Sequence, residues 1–188
     1  TKSKAEKWIK DYKGKIADTP KEAAKDSEFI FTCVGNDNDL REVTLGDNGL
    51  FHSAKKGAVY IDNTTASAII ARELYKEAKA KGFDFLDAPV SGGQAGAENG
   101  ALTVMVGGDE NPYKKAEPII DCYSKKIKLL GPAGNGQLCK MVNQICIAGL
   151  VQGLSEAINF GLNAKLNMYD VIEVISKGAA QSWQMENR

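Results

Sequence analysis

The sequence predicts an α/β protein with an open parallel sheet, followed by a long helix and the start of an all-helical domain. Short apolar runs such as 29–34 (FIFTCV) and 58–61 (AVYI) alternate with helical patterns of about a dozen residues. Such runs are typical of strands covered on both faces, and helical connections join parallel strands through right-handed crossovers. After the glycines of 131–136, an apolar helical pattern extends over 137–162, and no strand pattern follows it.

The elements between these landmarks each have a local signal. Thr19, Pro20 and Glu22 form a capping box with proline at the first helical position, and Asp37 or Asp39 is placed to cap the helix after the first strand. The pattern predicts strands at 29–34, 58–61, 83–90, 103–106 and 126–130, and helices at 1–13, 20–25, 37–45, 67–81, 111–122, 137–162 and 168–176. The sheet domain is expected to cover 1–132, and residues 133–188 are expected to form the first part of the helical domain. Because the long helix is apolar over much of its circumference, we expect it to be buried between the two.

Composition limits the functions that this chain can serve. Lys+Arg and Asp+Glu both number 24, so the net charge is zero, and no long basic block appears. Nucleic acid and anionic membranes are therefore not expected partners, and polar residues interrupt the long helix as a membrane span. The four cysteines lack CxxC spacing and are expected to be reduced core residues of a cytoplasmic or organelle-matrix protein. A single histidine argues against a Cys/His zinc site, and no metal is expected.

A reaction centre is predicted near the start of the long helix, where Lys140 lies between apolar neighbours. Asn143 and Gln144 follow at i+3 and i+4, so an ammonium and two carboxamides share one helical face. Partial burial would lower the pKa of this lysine toward the range that is useful for proton transfer. We predict that Lys140 is a general acid that protonates a carbonyl oxygen as hydride reaches the carbon. The alternative is a solvated helix lysine.

The stretch DAPVSGG at 87–93 lies at the carboxyl end of a predicted strand, where open α/β sheets place their ligands. Successive backbone N–H groups at Ser91, Gly92 and Gly93 form a concavity that suits a carboxylate, and the Ser91 hydroxyl adds a donor. By itself this stretch is explained slightly better as an ordinary strand-end turn. Together with Lys140 it favours a substrate site.

Two further loops, 34–39 and 62–65, follow predicted strands at the same edge of the sheet. Their amides and hydroxyls could line a cofactor, although turn and cap roles explain both. A parallel sheet that binds a dinucleotide normally begins with a strand, a GxGxxG turn and a helix, and no GxGxxG follows a strand in this sequence. Either the protein binds no dinucleotide, or that strand and loop precede Thr1. If a strand ends just before Thr1, then Thr1 and Lys2 lie where a ribose 2′-phosphate would bind, which favours NADP over NAD.

The main rival catalytic motif is formed by Tyr75 and Lys79, which match the YxxxK pair of short-chain dehydrogenases. Their helix is rich in lysine and alanine, and no suitably placed serine accompanies them. We therefore interpret this segment as a surface helix.

Taken together, DAPVSGG at 87–93, VGGDE at 106–110 and the GxGxxxKxxN pattern over 134–143 resemble the β-hydroxyacid dehydrogenases. This family includes 3-hydroxyisobutyrate dehydrogenase, tartronate semialdehyde reductase and the glyoxylate/succinic semialdehyde reductases. The resemblance covers essentially the whole chain, in order and spacing. It implies an NAD(P)-binding Rossmann-type domain at 1–132, incomplete at its N-terminus, followed at 133–188 by the start of the helical domain, commonly in homo-oligomers.

The resemblance also implies residue roles. The substrate carboxylate would be bound by Ser91, Gly92 and Gly93, Lys140 would be the catalytic acid/base, and the nicotinamide cofactor would lie along Val34, Gly35, Asp39 and Thr65. Many members carry asparagine four residues after the lysine, where this chain has Gln144, so the amide that orients the substrate comes from either Asn143 or Gln144.

The expected activity is the interconversion of a short β-hydroxy acid and its semialdehyde by hydride transfer with NAD(P)(H). One alternative is an enzyme similar to 6-phosphogluconate dehydrogenase, which would need a phosphate-binding basic cluster that the sequence does not show. Another is a catalytically silent binding or oligomerisation module of the same fold.

Overall fold

A computed structural model describes residues 2–187, which divide into two compact units, one that ends at Lys140 and one that begins at Met141. The first unit contains α1 (Lys2–Asp11), α2 (Pro20–Ala24), β1 (Phe29–Thr32), α3 (Asp37–Leu45), β2 (Val59–Asp62), α4 (Ala68–Lys81), β3 (Asp84–Asp87), β4 (Val90–Ser91), α5 (Gly93–Glu98), β5 (Leu102–Gly108), α6 (Glu110–Ile120) and β6 (Ser124–Leu129). Helix α7 (Asn135–Asn163) begins in the first unit and continues in the second, where α8 (Met168–Ile175) and α9 (Trp183–Asn187) follow. The predicted elements are therefore present, except that the strand expected at 83–90 is divided into β3 and β4.

The strands form one sheet in the order β1-β2-β3-β5-β4, and β6 pairs with β5. Strands β1, β2 and β3 are parallel, and their register pairs Thr32 with Asp62 and Asp62 with Asp87. Strand β5 runs antiparallel to β3 and β4, so the prediction of a wholly parallel sheet is wrong at this point. The reason is the connection, since between β3 and β5 lie only the two-residue β4 and the six-residue α5. A parallel crossover needs a longer helix that packs back on the sheet.

Strands β2 and β3 are buried on both faces, as their apolar sequences predict. In β1 the side chain of Phe31 is exposed, so the prediction that 29–34 is covered on both faces is wrong. In β2 every residue is buried, with Tyr60 on one face and Ile61 on the other. Tyr60 packs edge-on against Phe51 and against Phe85, with ring centroids 5.5 and 5.3 Å away. This core fixes the carboxyl ends of β1, β2 and β3 side by side at one edge of the sheet.

Side-chain caps mark the starts of α2, α3, α4 and α8. The Thr19 cap of α2 is confirmed, because the Thr19 hydroxyl accepts from the backbone N–H of Glu22 at 3.1 Å, but the Glu22 carboxylate accepts from the N–H of Asp18 at 3.0 Å rather than from that of Thr19. The prediction for α3 is wrong: Asn36, rather than Asp37 or Asp39, is the cap, and its Oδ1 accepts from the N–H groups of Asn38 and Asp39. Asp37 instead accepts from the backbone and hydroxyl of Ser67, the residue that caps α4. The loops after β1 and β2 are thereby tied together.

The long helix is confirmed in position but not in burial. Large apolar side chains of α7 are exposed, including Val142, Ile145 and Phe160. The two short helices that follow in the second unit are too small to cover a 29-residue helix. By length and composition alone α7 also qualifies as one helix that could cross a membrane. That is weak evidence, because long apolar helices of many proteins meet the same criterion.

The expectation that the cysteines are core residues is also wrong. All four are free, Cys139 is half-buried, and Cys33, Cys122 and Cys146 are exposed. The local apolar context misled the prediction, since each of these three lies at a strand end, in a turn or on an open helix flank, rather than within a covered stretch.

Candidate active site

The start of α7 is anchored to the end of β3 by Asp87. This carboxylate is fully buried, and it accepts from the backbone N–H of Gly134 through Oδ1 at 2.7 Å and from that of Gln137 through Oδ2 at 2.9 Å. Burial raises the pKa of Asp87, and the N–H donors of the helix start oppose the rise. The first N–H groups of a helix have no partner within the helix and favour negative charge, so Asp87 satisfies two of them and complements the dipole of α7.

Glycines on both sides let the helix backbone approach the sheet. A Cβ on Gly136 would contact the backbone oxygens of Met105 and Asp87. A Cβ on Gly107 would lie 2.5 Å from Asp87 Oδ1 and 2.8 Å from the backbone nitrogen of Gly136. The glycines of the VGGDE and GxG stretches therefore meet each other in space around one carboxylate.

Gln137 ties the same helix turn to the loop after β2. Its side chain is fully buried, with Nε2 donating to the backbone oxygen of Thr64 at 2.7 Å and Oε1 accepting from the N–H of Ala66 at 3.0 Å. The amide thus satisfies one donor and one acceptor of a loop that is otherwise irregular. The first turn of α7 is linked in this way to both β2 and β3.

Lys140 lies one turn further along the helix and is buried, with 8% of its surface exposed. Its ammonium donates to the backbone oxygen of Val90 at 2.8 Å, so it contacts the peptide group that joins Val90 to Ser91. Burial lowers the pKa of Lys140. The predicted desolvation of this lysine is confirmed, and the solvated-lysine alternative is wrong.

Beyond Val90 the chain makes the predicted glycine turn. Ser91 ends β4, paired with Thr103 of β5, and Gly92 and Gly93 lead into α5. Gly92 has φ 138° and Gly93 has φ 62°, conformations that residues with a Cβ rarely adopt. A Cβ on Gly93 would meet no atom within 4 Å, so the space beside this turn is open.

The loops predicted to follow the cofactor meet at the carboxyl edge of β1 and β2. The N–H of Val34 donates to the hydroxyl of Thr64 at 3.0 Å, which joins the two loops, and Gly35 and Thr65 are exposed beside this bond. The carboxylate of Asp39 lies against Gly35, where a Cβ would be 2.6 Å from Oδ2. Exposed backbone and hydroxyl groups at this edge suit a nicotinamide cofactor.

Other predicted site residues are not brought to this edge by contacts within the first unit. Lys2 begins α1 and forms an exposed ion pair with Asp18 at 3.3 Å, while Thr1 lies outside the described residues. Asn143 and Gln144 belong to the second unit, where the amide nitrogen of Asn143 donates to the side-chain oxygen of Gln144 at 3.1 Å.

The rival YxxxK pair has a structural role. Lys79 forms ion pairs with Asp84 at 2.6 Å and with Asp109 at 2.8 Å, and these carboxylates raise its pKa against the opposing effect of burial. The Tyr75 hydroxyl donates to Asp109 at 3.0 Å. These contacts connect α4 to the start of β3 and the end of β5, at the opposite end of β3 from Asp87.

Sequence reasoning assigned no role to Asp87 or Gln137. A buried aspartate that ends a strand, and a glutamine on the first turn of an apolar helix, are the available signals. Neither signal identifies a partner, because the bonds connect residues about fifty to seventy positions apart.

The fold and this edge together define a dinucleotide-binding α/β domain of an oxidoreductase, with a buried amine beside a glycine turn. Comparison with known families agrees. The family model described as the NAD binding domain of 6-phosphogluconate dehydrogenase matches residues 1–131. The model described as NAD-binding of NADP-dependent 3-hydroxyisobutyrate dehydrogenase matches residues 134–188.

Individual relatives point the same way. An "uncharacterized oxidoreductase" of Shewanella frigidimarina is 60% identical over the whole chain, which covers 65% of that protein. The 2-hydroxy-3-oxopropionate reductase of Escherichia coli is 35% identical over 90% of the chain and 58% of the relative. The structure of Mycobacterium tuberculosis 3-hydroxyisobutyrate dehydrogenase with L-serine has a TM-score of 0.80 and 30% identity, over 89% of this chain and 56% of that one.

The chain belongs to the NAD(P)-dependent β-hydroxyacid dehydrogenase family. The resemblance found in the motifs, the Rossmann-type fold and the nicotinamide cofactor class are thereby confirmed. The chain spans less than two thirds of the length of these relatives.

Proposed function

We propose that the protein interconverts a short β-hydroxy acid and its semialdehyde, with NAD(P)(H) as the hydride carrier and Lys140 as the general acid/base. One observation carries this proposal: the Lys140 ammonium is buried and bonded at 2.8 Å to the carbonyl of Val90, immediately before the glycine turn. The Lys140 amine is therefore adjacent to the backbone that we propose to bind the substrate carboxylate. Relatives named for 3-hydroxyisobutyrate and 2-hydroxy-3-oxopropionate support this substrate class.

The glycine turn supplies the carboxylate site. Backbone N–H groups at Ser91, Gly92 and Gly93 carry partial positive charge without side chains that would block an approaching anion. The open space beside Gly93 leaves room for a carboxylate, and the Ser91 hydroxyl adds a donor. Anchoring the acid end of a three- or four-carbon substrate here would direct its other end toward Lys140.

Lys140 donates a proton to the reacting oxygen or accepts a proton from it, depending on the direction of the reaction. In the direction of reduction, the ammonium of Lys140 donates a proton to the carbonyl oxygen as the carbon accepts hydride, which leaves a hydroxyl group and a neutral amine. In the direction of oxidation, the neutral amine removes that proton. Burial makes the amine less basic, so it gives up the proton more readily than an exposed lysine would.

The bound nicotinamide cofactor supplies the hydride for reduction and accepts it for oxidation. The residues that would bind it in this chain are Val34, Gly35, Asp39 and Thr65, at the joined loops after β1 and β2. If a strand ends just before Thr1, then Thr1 and Lys2 would contact the ribose 2′-phosphate of NADP, which favours NADP over NAD. Asn143 or Gln144 would orient the substrate.

The remaining parts of the proposal concern the whole protein. We assign dinucleotide binding to 1–132 and the start of the helical domain to 133–188, and we expect a homo-oligomer in the cytoplasm or an organelle matrix. The partner is a small carboxylate, with no metal, nucleic acid or membrane involved.

The decisive experiment uses the complete protein, with any segments that precede Thr1 or follow Arg188. Turnover is measured with a panel of short semialdehydes and both NADH and NADPH, for wild type, Lys140→Met and the control Lys79→Met. We expect Lys140→Met to lower kcat by about 10²- to 10⁴-fold, the usual contribution of general acid catalysis. Fluorescence titration should show unchanged cofactor affinity, and Lys79→Met should turn over normally.

Two results would contradict the proposal. If Lys140→Met keeps most of its turnover, Lys140 is not the acid. If wild type binds neither NADH nor NADPH, a silent module of the same fold is the better description.

A further inference from the structure

We propose that Asp87 and Gln137 are positioning residues, which hold the first turn of α7 so that the Lys140 ammonium stays on the Val90 carbonyl. This inference rests on the proposed function, because it assigns these two buried side chains to the geometry of the reaction. The side-chain hydrogen bonds of both residues go to the start of α7 and to the loop after β2 rather than to the glycine turn, so each acts through Lys140.

Asp87 controls the helix from the side of β3. Its two carboxylate oxygens accept from Gly134 and Gln137, three residues apart, so the carboxylate fixes both the position and the rotation of the first turn. The same chain continues from Asp87 through Val90 to the glycine turn. One short segment therefore contains both the anchor of the helix and the carbonyl that binds its lysine.

Gln137 controls the helix from the side of β2. Its amide bonds to Thr64 and Ala66 on either side of the exposed Thr65, the residue assigned to the cofactor. Gln137 and Lys140 are three residues apart and so lie on neighbouring positions of one helical face. A movement of the loop after β2 is thereby coupled to the position of the lysine.

A long side chain such as lysine reaches its partner only if its backbone is held. Losing either anchor would let the first turn of α7 shift, and a displacement of about 1 Å can lower a rate by about 100-fold. The competing explanation is that both side chains only stabilise a buried junction. Under that explanation, variants would melt at lower temperature while Lys140 kept its environment and the folded enzyme kept its rate.

The test compares Asp87→Asn and Gln137→Met with Leu74→Ala in the complete protein. Asp87→Asn leaves one acceptor and turns an amide nitrogen toward a backbone N–H. Gln137→Met removes both loop bonds with little change in volume. Leu74 is a fully buried residue of α4 in the core cluster that contains Tyr60 and Phe85, so Leu74→Ala lowers stability without removing a hydrogen bond of the junction.

The first readout does not depend on activity. Competitive labelling of lysine amines with acetic anhydride, followed by mass spectrometry over a pH series, reports both the accessibility and the pKa of Lys140, with exposed Lys76 as the internal reference. We expect wild-type Lys140 to label more slowly than Lys76. In Asp87→Asn and Gln137→Met, Lys140 should label faster, and its pKa should rise toward the ordinary lysine value as water reaches the amine. Leu74→Ala should match wild type below its melting temperature.

The second readout is steady-state kinetics. Both junction variants should lose about 10- to 100-fold in kcat, the usual effect of removing a side chain that orients a reacting group. The alkaline limb of their pH profile should move upward, in step with the labelling pKa. Leu74→Ala should keep both values.

The inference is overturned if both junction variants fold, melt lower and yet keep the wild-type labelling profile of Lys140. It is also overturned if Leu74→Ala changes that profile as much as they do. Failure of the proposed function gives a different result, since Lys140→Met would then keep its turnover while the labelling comparison still tests the anchors. Should Asp87→Asn fail to fold, Gln137→Met decides the question alone.

Discussion

Asp62 is a buried carboxylate whose charge opposes folding, and its replacement by asparagine should stabilise the protein above pH 6. The residue ends β2 and is fully buried. Its Oδ1 accepts from the hydroxyl of Thr32 at 2.8 Å and from the N–H of Thr64 at 3.1 Å. Its Oδ2 is buried without a hydrogen-bond partner among the described residues.

The pKa of Asp62 gives the size of the effect. Burial raises this pKa from 3.8 to about 6, opposed by the bonds from Thr64 and Thr32 and increased by the charge of Asp87. Because the folded state holds the proton more tightly than the unfolded state, stability from this group is largest below pH 4 and is lost as pH rises through about 6. At pH 8 the ionised form destabilises the fold by about 3 kcal/mol.

Asp62→Asn keeps the acceptor oxygen for Thr32 and Thr64 and removes the charge. Urea unfolding of both proteins at pH 4, 6 and 8 gives the difference in free energy of unfolding, which isolates Asp62 from other titrating groups. We expect the variant to be more stable by about 1 to 3 kcal/mol at pH 8, since the new N–H₂ group takes the unpartnered position and offsets part of the gain. The difference should fall toward zero at pH 4. A difference that stays constant across this range would refute the reasoning.

Two other predictions follow from contacts at either end of β3. Gly107→Ala should lower the free energy of unfolding by about 1 to 3 kcal/mol, measured by thermal or urea unfolding, because its Cβ would clash with Asp87 and Gly136. The control Gly149→Ala should leave the free energy of unfolding unchanged or slightly higher, since no atom lies within 4 Å of its Cβ. Equal effects of the two substitutions would contradict the close approach of helix and sheet. Lys79→Met should lower the free energy of unfolding by less than about 1 kcal/mol, since its ion pairs are partly exposed, and it should leave turnover unchanged. A large loss of turnover at constant stability would restore the YxxxK motif as a catalytic candidate.

The predictable parts of the fold depend on short-range patterns. Apolar runs located β1, β2, β3 and β5 to within a few residues, and Thr19 and Pro20 marked the start of α2. The reversal of β5 was not predicted, because periodicity does not report the direction of a strand. The cap of α3 was assigned to the wrong neighbour, since Asn36, Asp37 and Asp39 all suit a helix start and only their geometry separates them.

The candidate site also contains residues that local sequence patterns predict and residues that only the structure reveals. Lys140 and the glycine turn were found because each is a local anomaly, a cation in an apolar helix and consecutive glycines after a strand. Their proximity through Val90 is consistent with that prediction. The roles of Asp87 and Gln137 could not be predicted, because a buried polar side chain is meaningful only with its partners, and these lie in distant segments.

The sequence by itself determined the α/β alternation, the long helix, the family and the lysine that we propose for proton transfer, because all of these depend on residue type and spacing along the chain. Only the tertiary structure decided which groups contact that lysine, which strand is antiparallel to its neighbours and which carboxylates are buried. Those properties depend on distances between segments and on exclusion of water, and a buried group acquires both only when the chain has folded.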